Sequence, residues 1–69
     1  MKEVTKDQFF ETINRLSLNG VDVHPSIRRA PWPYTFDWKG RYGSVYGVTQ
    51  DYLPEGSSLT KTRYFLADN

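Results

Sequence analysis

The sequence predicts an α+β domain in which one N-terminal amphipathic helix packs on a three-stranded antiparallel sheet. Three features indicate this arrangement: a capped amphipathic segment near the start, aromatic residues that alternate with polar ones at 34–39, and two later β-rich segments bounded by turn residues. A helix and a sheet that are each apolar on one side form the simplest two-layer core. A chain of 69 residues is short enough to be a single domain, residues 1–69.

The helix is predicted over residues 6–18. Thr5 is a good N-cap, and Gln8 stands three residues later, as a capping box requires. Phe9 and Ile13 are four residues apart and therefore lie on one side of the helix. An Asn-Gly pair after the segment supplies a stop, because glycine readily adopts the left-handed conformation that ends helices.

The three predicted strands are residues 34–39, 44–50 and 59–67. Residues 21–24, which alternate valine with polar residues, are the candidate for a short fourth strand at the edge of the sheet. Pro25 favours an edge position because proline cannot donate a hydrogen bond to a neighbouring strand.

The aromatic side of the first predicted strand is expected to face the helix. Tyr34, Phe36 and Trp38 share that side, since side chains alternate along a strand. On the last strand we expect Tyr64 and Leu66 to face inward. A shift of one residue in register would reverse this choice.

Composition limits the chemistry that the chain can perform. It has no cysteine and one histidine, which excludes disulfides, thiolate metal sites and histidine-rich metal sites, and no cofactor is predicted. The first residues lack the apolar segment of a secretory signal, and no apolar run approaches the roughly 18 residues of a membrane span. The expected location is the cytoplasm, and the host cytoplasm if the chain is phage-encoded.

Candidate catalytic residues are sparse. Asp22 and His24 would share one side of a strand, where the carboxylate could orient the imidazole, but no nucleophile accompanies them convincingly. The carboxylates Asp37, Asp51 and Glu55 fit no known metal-loop spacing. A glycine-bounded turn at 40–43 is not followed by the helix that phosphate loops use. The chain is therefore predicted not to be an enzyme.

The abundance of aromatic residues favours a binding module instead. Two tryptophans, five tyrosines and four phenylalanines are more than so small a core can bury, and exposed Trp, Tyr and Arg side chains are enriched at protein interfaces. Two prolines flank Trp32 in a predicted loop at 26–33. The turn at 40–43 forms a hairpin tip that presents Arg41 and Tyr42. The predicted partner-binding residues are Trp32, Arg28, Arg29, Arg41 and Tyr42.

Two other roles remain open from the sequence. Residues 26–63 carry six cations and three anions, a balance of +3, whereas residues 1–25 carry three cations and four anions, a balance of −1. Basic residues among aromatics on a sheet can bind single-stranded nucleic acid. The net charge of +1 and a pI near 8.0 argue against it. A small structural virion component, or a homo-oligomer, is the other alternative.

Four short segments resemble small uncharacterised accessory proteins of bacteriophages and prophages. They are Asp-Val-His-Pro at 22–25, Tyr-Thr at 34–35, Gly-Ser-Val-Tyr-Gly at 43–47 and Arg-Tyr-Phe-Leu at 63–66. The resemblance implies stoichiometric binding to a host protein or complex, for example inhibition of a host nuclease or a CRISPR defence complex. It implies no individual site residue.

Overall fold

A computed structural model describes residues 1–67, so the last two residues of the predicted 1–69 domain lie outside it. The elements, in chain order, are β1 Lys2–Val4, α1 Lys6–Leu18, β2 His24–Arg29, β3 Thr35–Lys39, β4 Val45–Tyr52 and β5 Lys61–Leu66. All strand pairs are antiparallel, and the sheet order is β1-β5-β4-β3-β2. The predicted α+β class with an antiparallel sheet is confirmed.

The prediction of three strands was wrong, because the described residues form five. Strand β1 has only three residues, too few to show an alternating pattern, and exists because Glu3 pairs with Phe65 on β5. The edge strand expected at 21–24 lies instead at His24–Arg29, within much of the predicted loop at 26–33. All six of its residues are exposed, so it carries no apolar alternation and is defined by its pairing with β3.

The predicted helix is confirmed at both ends. Thr5 adopts an extended conformation, and its hydroxyl oxygen accepts a hydrogen bond from the backbone N–H of Gln8 at 3.1 Å. The Gln8 side-chain oxygen accepts the backbone N–H of Thr5 at 3.0 Å, which completes the capping box. These two bonds satisfy N–H groups that otherwise have no partner at a helix start.

The core lies between α1 and one side of the sheet. Phe9, Ile13 and Val23 form its buried centre, and Phe9 is fully buried. Tyr64 and Leu66 pack against this cluster, so the predicted inward side of β5 is confirmed. The sheet residues that pack against this cluster, called the covered region below, are Val4, Trp38, Tyr46, Tyr64 and Leu66.

Gly47, next to a bulge in β4, lets the helix approach the sheet closely. Trp38 pairs with Gly47 and Lys39 with Val45, which leaves Tyr46 as an extra residue in β4. A Cβ on Gly47 would lie 2.7 Å from Cε2 of Phe9 and 2.8 Å from the backbone oxygen of Phe65. The missing side chain therefore lets the Phe9 ring approach the strand directly.

The sheet extends beyond the helix. A helix of 13 residues is about 20 Å long, whereas the longest dimension of the described chain is 41 Å. Phe36 and Tyr34 lie on the same side of β3 as Trp38, yet neither packs against the buried cluster. We call this uncovered part the bare region, and it comprises Ile27, Trp32, Tyr34 and Phe36.

Candidate partner-binding surfaces

The predicted partner-binding residues lie at two ends of the molecule. Trp32 follows β2 and precedes β3, whereas Arg41 and Tyr42 lie in the turn that follows β3. Strand β3 separates the two groups, and five residues of strand span roughly 15 Å. The five residues therefore cannot form one compact site.

The bare region is a continuous apolar patch. Ile27 pairs with Phe36 across β2 and β3, so their side chains share the helix side of the sheet. Tyr34 lies 6.4 Å from Phe36 between ring centroids, and Trp32 packs edge-on against Tyr34 at 5.9 Å. Ile27 is 57% exposed and Trp32 is 46% exposed. Such clustering of exposed apolar groups is uncommon on a surface that contacts only water.

The strand that borders this patch has a free edge. Among residues 1–67, strand β2 is the last in the sheet and pairs only with β3. Backbone groups on the outer side of an edge strand can pair with an added strand, and Pro25 removes one donor from the row. The free edge of β2 and the bare region are thus exposed next to each other.

Arg28 and Arg29 are directed away from the bare region by a second bulge. Ile27 pairs with Phe36 and Arg29 with Thr35, which leaves Arg28 as the extra residue. The Arg28 guanidinium forms an ion pair with Asp37 on the opposite side of the sheet. No hydrogen bond reaches Asp37 Oδ1 from the described residues, and this carboxylate is only 8% exposed. The ion pair therefore offsets the charge of a buried group.

The side of the sheet opposite the helix, called the open face below, collects basic residues from three strands. On β3, Thr35 and Asp37 alternate with Phe36 and therefore lie on the side away from the helix. Thr35 pairs with Gln50, and Gln50 pairs with Arg63, so the register places Arg63 on that same side. The basic residues of the open face are Arg28, Arg29, Lys39, Lys61 and Arg63. Its carboxylates are Asp37, which Arg28 neutralises, and Glu3 on the far edge strand.

Aromatic groups accompany these cations. The Arg63 guanidinium carbon lies 4.7 Å from the centroid of the Tyr52 ring, a cation–π contact on the open face. Phe65 pairs with Val48 and shares the same side of the sheet. Lys61, Arg63 and Phe65 occupy alternate positions of the last predicted strand, so the sequence already indicated that they share one side.

The turn after β3 borders a shallow cleft. Its volume is about 540 Å³, and it lies between the end of α1 and the turn at 40–44. Tyr42 is 91% exposed there, and Arg41 and Asp22 are among the lining residues. The cleft combines one cation, one carboxylate and two tyrosines, which is not a recognisable catalytic arrangement.

The candidate catalytic pair is a surface contact. His24 Nε2 lies 3.8 Å from Asp22 Oδ2, and the two side chains are 76% and 79% exposed. Asp51 accepts a hydrogen bond from the Thr62 hydroxyl at 2.9 Å, a structural role on the helix side of the sheet. Within residues 1–67, no three potential ligands among His, Cys, Asp and Glu lie close enough to hold a metal ion.

Comparison with known proteins finds no relative of this chain. No protein-family model, curated protein or solved structure matches the chain. The resemblance to bacteriophage proteins therefore stays a prediction. Within the described range, 1–67, the helix is neither long nor apolar enough to cross a membrane.

Proposed function

We propose that the chain is a non-enzymatic protein-binding module that contacts its partner through the bare region. The supporting observation is the contiguity of Ile27, Trp32, Tyr34 and Phe36 on the part of the sheet that the helix leaves uncovered. Tryptophan is the residue type most enriched at the energetic centre of protein interfaces. Trp32, which is 46% exposed, is the anchor of this contact.

The partner is a host protein or complex, as the resemblance to phage accessory proteins implies. Inhibition of a host nuclease or of a CRISPR defence complex is the expected form of activity. A stoichiometric inhibitor needs an exposed contact surface and no catalytic group, which suits a chain whose His24–Asp22 pair is solvent-exposed. Arg41 and Tyr42 lie at the far end of β3, so they belong to a second, smaller contact if the partner is large enough to reach both.

The test compares two exposed aromatic residues at opposite ends of the molecule. Tagged wild-type protein, Trp32→Ala and Tyr42→Ala are used to capture partners from nuclease-treated host lysate, and the proteins are identified by mass spectrometry. We expect one stoichiometric host protein with the wild type and Tyr42→Ala, and loss of that protein with Trp32→Ala. Truncating a true anchor lowers binding free energy by at least about 2 kcal/mol, roughly a 30-fold loss of affinity.

The other outcomes assign other roles. Loss of capture with Tyr42→Ala alone would move the contact surface to the turn after β3. Capture unaffected by either change would remove both ends from the proposal. A stable homo-oligomer whose assembly depends on Trp32, with no host protein captured, would replace the inhibitor by a structural or virion role.

A further inference from the structure

We propose that the open face is a second binding surface, separate from the bare region, and that it takes single-stranded nucleic acid. The proposal rests on what the fold brings together. Cations that are distant in the sequence, from Arg28 to Arg63, lie on the same side of one sheet. In the described part of the chain this side carries no helix, because α1 packs on the opposite side.

The charge of this face is distinct from that of the rest of the chain. Its basic residues number five and its carboxylates two, which gives +3 for the open face, although the whole chain carries only +1. The helix, by contrast, displays Asp7 and Glu11 as well as Lys6 and Arg15, and Glu11 pairs with Arg15 at 3.4 Å. A near-neutral net charge therefore conceals a cationic surface, and the pI alone is a poor guide to the partner.

The central carboxylate does not repel an anion. Asp37 is buried and lies against the Arg28 guanidinium, so Arg28 compensates it rather than contacting a partner. Four cations remain for phosphate contacts: Arg29, Lys39, Lys61 and Arg63. Neighbouring strands are about 4.8 Å apart, so the cations on β5 and β2, three strand intervals apart, are roughly 14 Å from each other. Such a spacing lets one extended strand of nucleic acid cross the face.

The aromatic groups favour a single strand over a duplex or an acidic protein. Tyr52 and Phe65 lie among the cations on the open face, and Arg63 is stacked on the Tyr52 ring. Unpaired bases stack on aromatic rings and guanidinium planes, whereas the bases of a duplex are already stacked on one another. The elements of the open face are strands that lie in the sheet, and within the described range no helix projects from it to enter a groove. An acidic peptide would use the cations but would leave the rings without a stacking partner.

The test is direct binding of the purified full chain to a fluorescent oligonucleotide of about 16 nucleotides. Fluorescence anisotropy is recorded with single-stranded DNA, single-stranded RNA and the corresponding DNA duplex. Four phosphate contacts on a single strand give a slope of log K against log salt of about −2.8. A rise from about 50 to 200 mM salt should therefore weaken binding roughly 50-fold. The comparison of DNA with RNA shows which of the two sources of this chemistry is preferred.

Two double variants locate the surface. Lys61→Gln with Arg63→Gln removes two cations from exposed positions of the open face, and the salt slope should fall to about −1.4. Lys6→Gln with Arg15→Gln removes the same charge from the exposed side of the helix and should leave the slope unchanged. Trp32→Ala should bind the oligonucleotide as the wild type does, so this proposal and the protein-binding proposal can fail separately.

Three results would overturn the inference. The first is no anisotropy change with any single strand at the lowest salt. The second is an equal loss of affinity in the two double variants, which would show that only total charge matters. The third is tighter binding of the duplex, or displacement of the single strand by polyglutamate at matched charge, which would assign the face to another polyanion.

Discussion

On the helix side of β3, the residue at one end lies in the core, whereas the residues at the other end lie on the surface. Trp38, Phe36 and Tyr34 share one side of the sheet, but only Trp38 packs against Phe9 and Phe10. The difference is the reach of the helix, which ends before it covers the residues of the bare region. Aromatic composition therefore shows that a surface is apolar, whereas the covering element decides whether it is core or contact surface.

The largest expected contrast between the two regions is in the contribution of a phenylalanine to stability. Phe9 is fully buried and contacts Trp38 and Tyr64, so Phe9→Ala should lower the free energy of unfolding by about 3 to 5 kcal/mol. Phe36 is half-buried in the bare region, and Phe36→Ala should cost about 1 to 2 kcal/mol.

Urea unfolding followed by circular dichroism measures both changes. Because Phe9→Ala removes a large share of the stability of a small domain, the measurement is made at low temperature with a stabilising salt present throughout the series. Equal costs for the two substitutions would show that the bare region is as well covered as the core, and would contradict the comparison.

A second contrast concerns two side-chain hydrogen bonds on the helix side of the sheet, one that joins Trp38 of the covered region to a buried residue and one between half-buried residues of β4 and β5. The Trp38 indole N–H donates to the Thr49 hydroxyl at 3.0 Å, and Thr49 is only 5% exposed. Thr49→Val keeps the shape but leaves the indole donor without that acceptor, so we expect a cost of about 1 to 3 kcal/mol. Thr62→Val removes the bond to Asp51, and because both of these residues are half-buried rather than buried, the cost should stay below about 1 kcal/mol.

Thermal unfolding of these two matched threonine-to-valine variants is sufficient to compare them. Since both substitutions are isosteric, the difference reports the accessibility of each polar group to water rather than a change in packing. A larger loss of thermal stability for Thr62→Val than for Thr49→Val would mean that the Asp51 carboxylate depends on the Thr62 hydroxyl. Polar contacts would then hold β4 and β5 together at that position.

The smallest expected effect is the loss of unfolding free energy when Trp32 is truncated. It contacts Tyr34 edge-on and is 46% exposed, so Trp32→Ala should lower the unfolding free energy by only about 0.5 to 1.5 kcal/mol. Tyr42→Ala, at a position that is 91% exposed, should change it by less than about 0.5 kcal/mol. Chemical unfolding at equilibrium distinguishes these values. A loss above about 3 kcal/mol for Trp32 would make it a structural residue and weaken its assignment as a binding anchor.

The helix could be predicted from the sequence, because its capping and spacing are local. The Thr5–Gln8 box and the Phe9–Ile13 spacing predict an element that begins and ends where it is found. The inward side of β5 was also predictable, since alternation fixes which residues share a side once one is known to be buried.

The other features could not be predicted from local sequence, because they depend on pairing between distant segments. Strand β1 exists through its register with β5, and β2 through its register with β3, although neither has an apolar pattern of its own. The bulge at Arg28 sends that side chain to Asp37 and separates it from Trp32, which no local signal indicated. The open face likewise forms only when distant strands align, so its collected charge is a property of the fold and not of any segment.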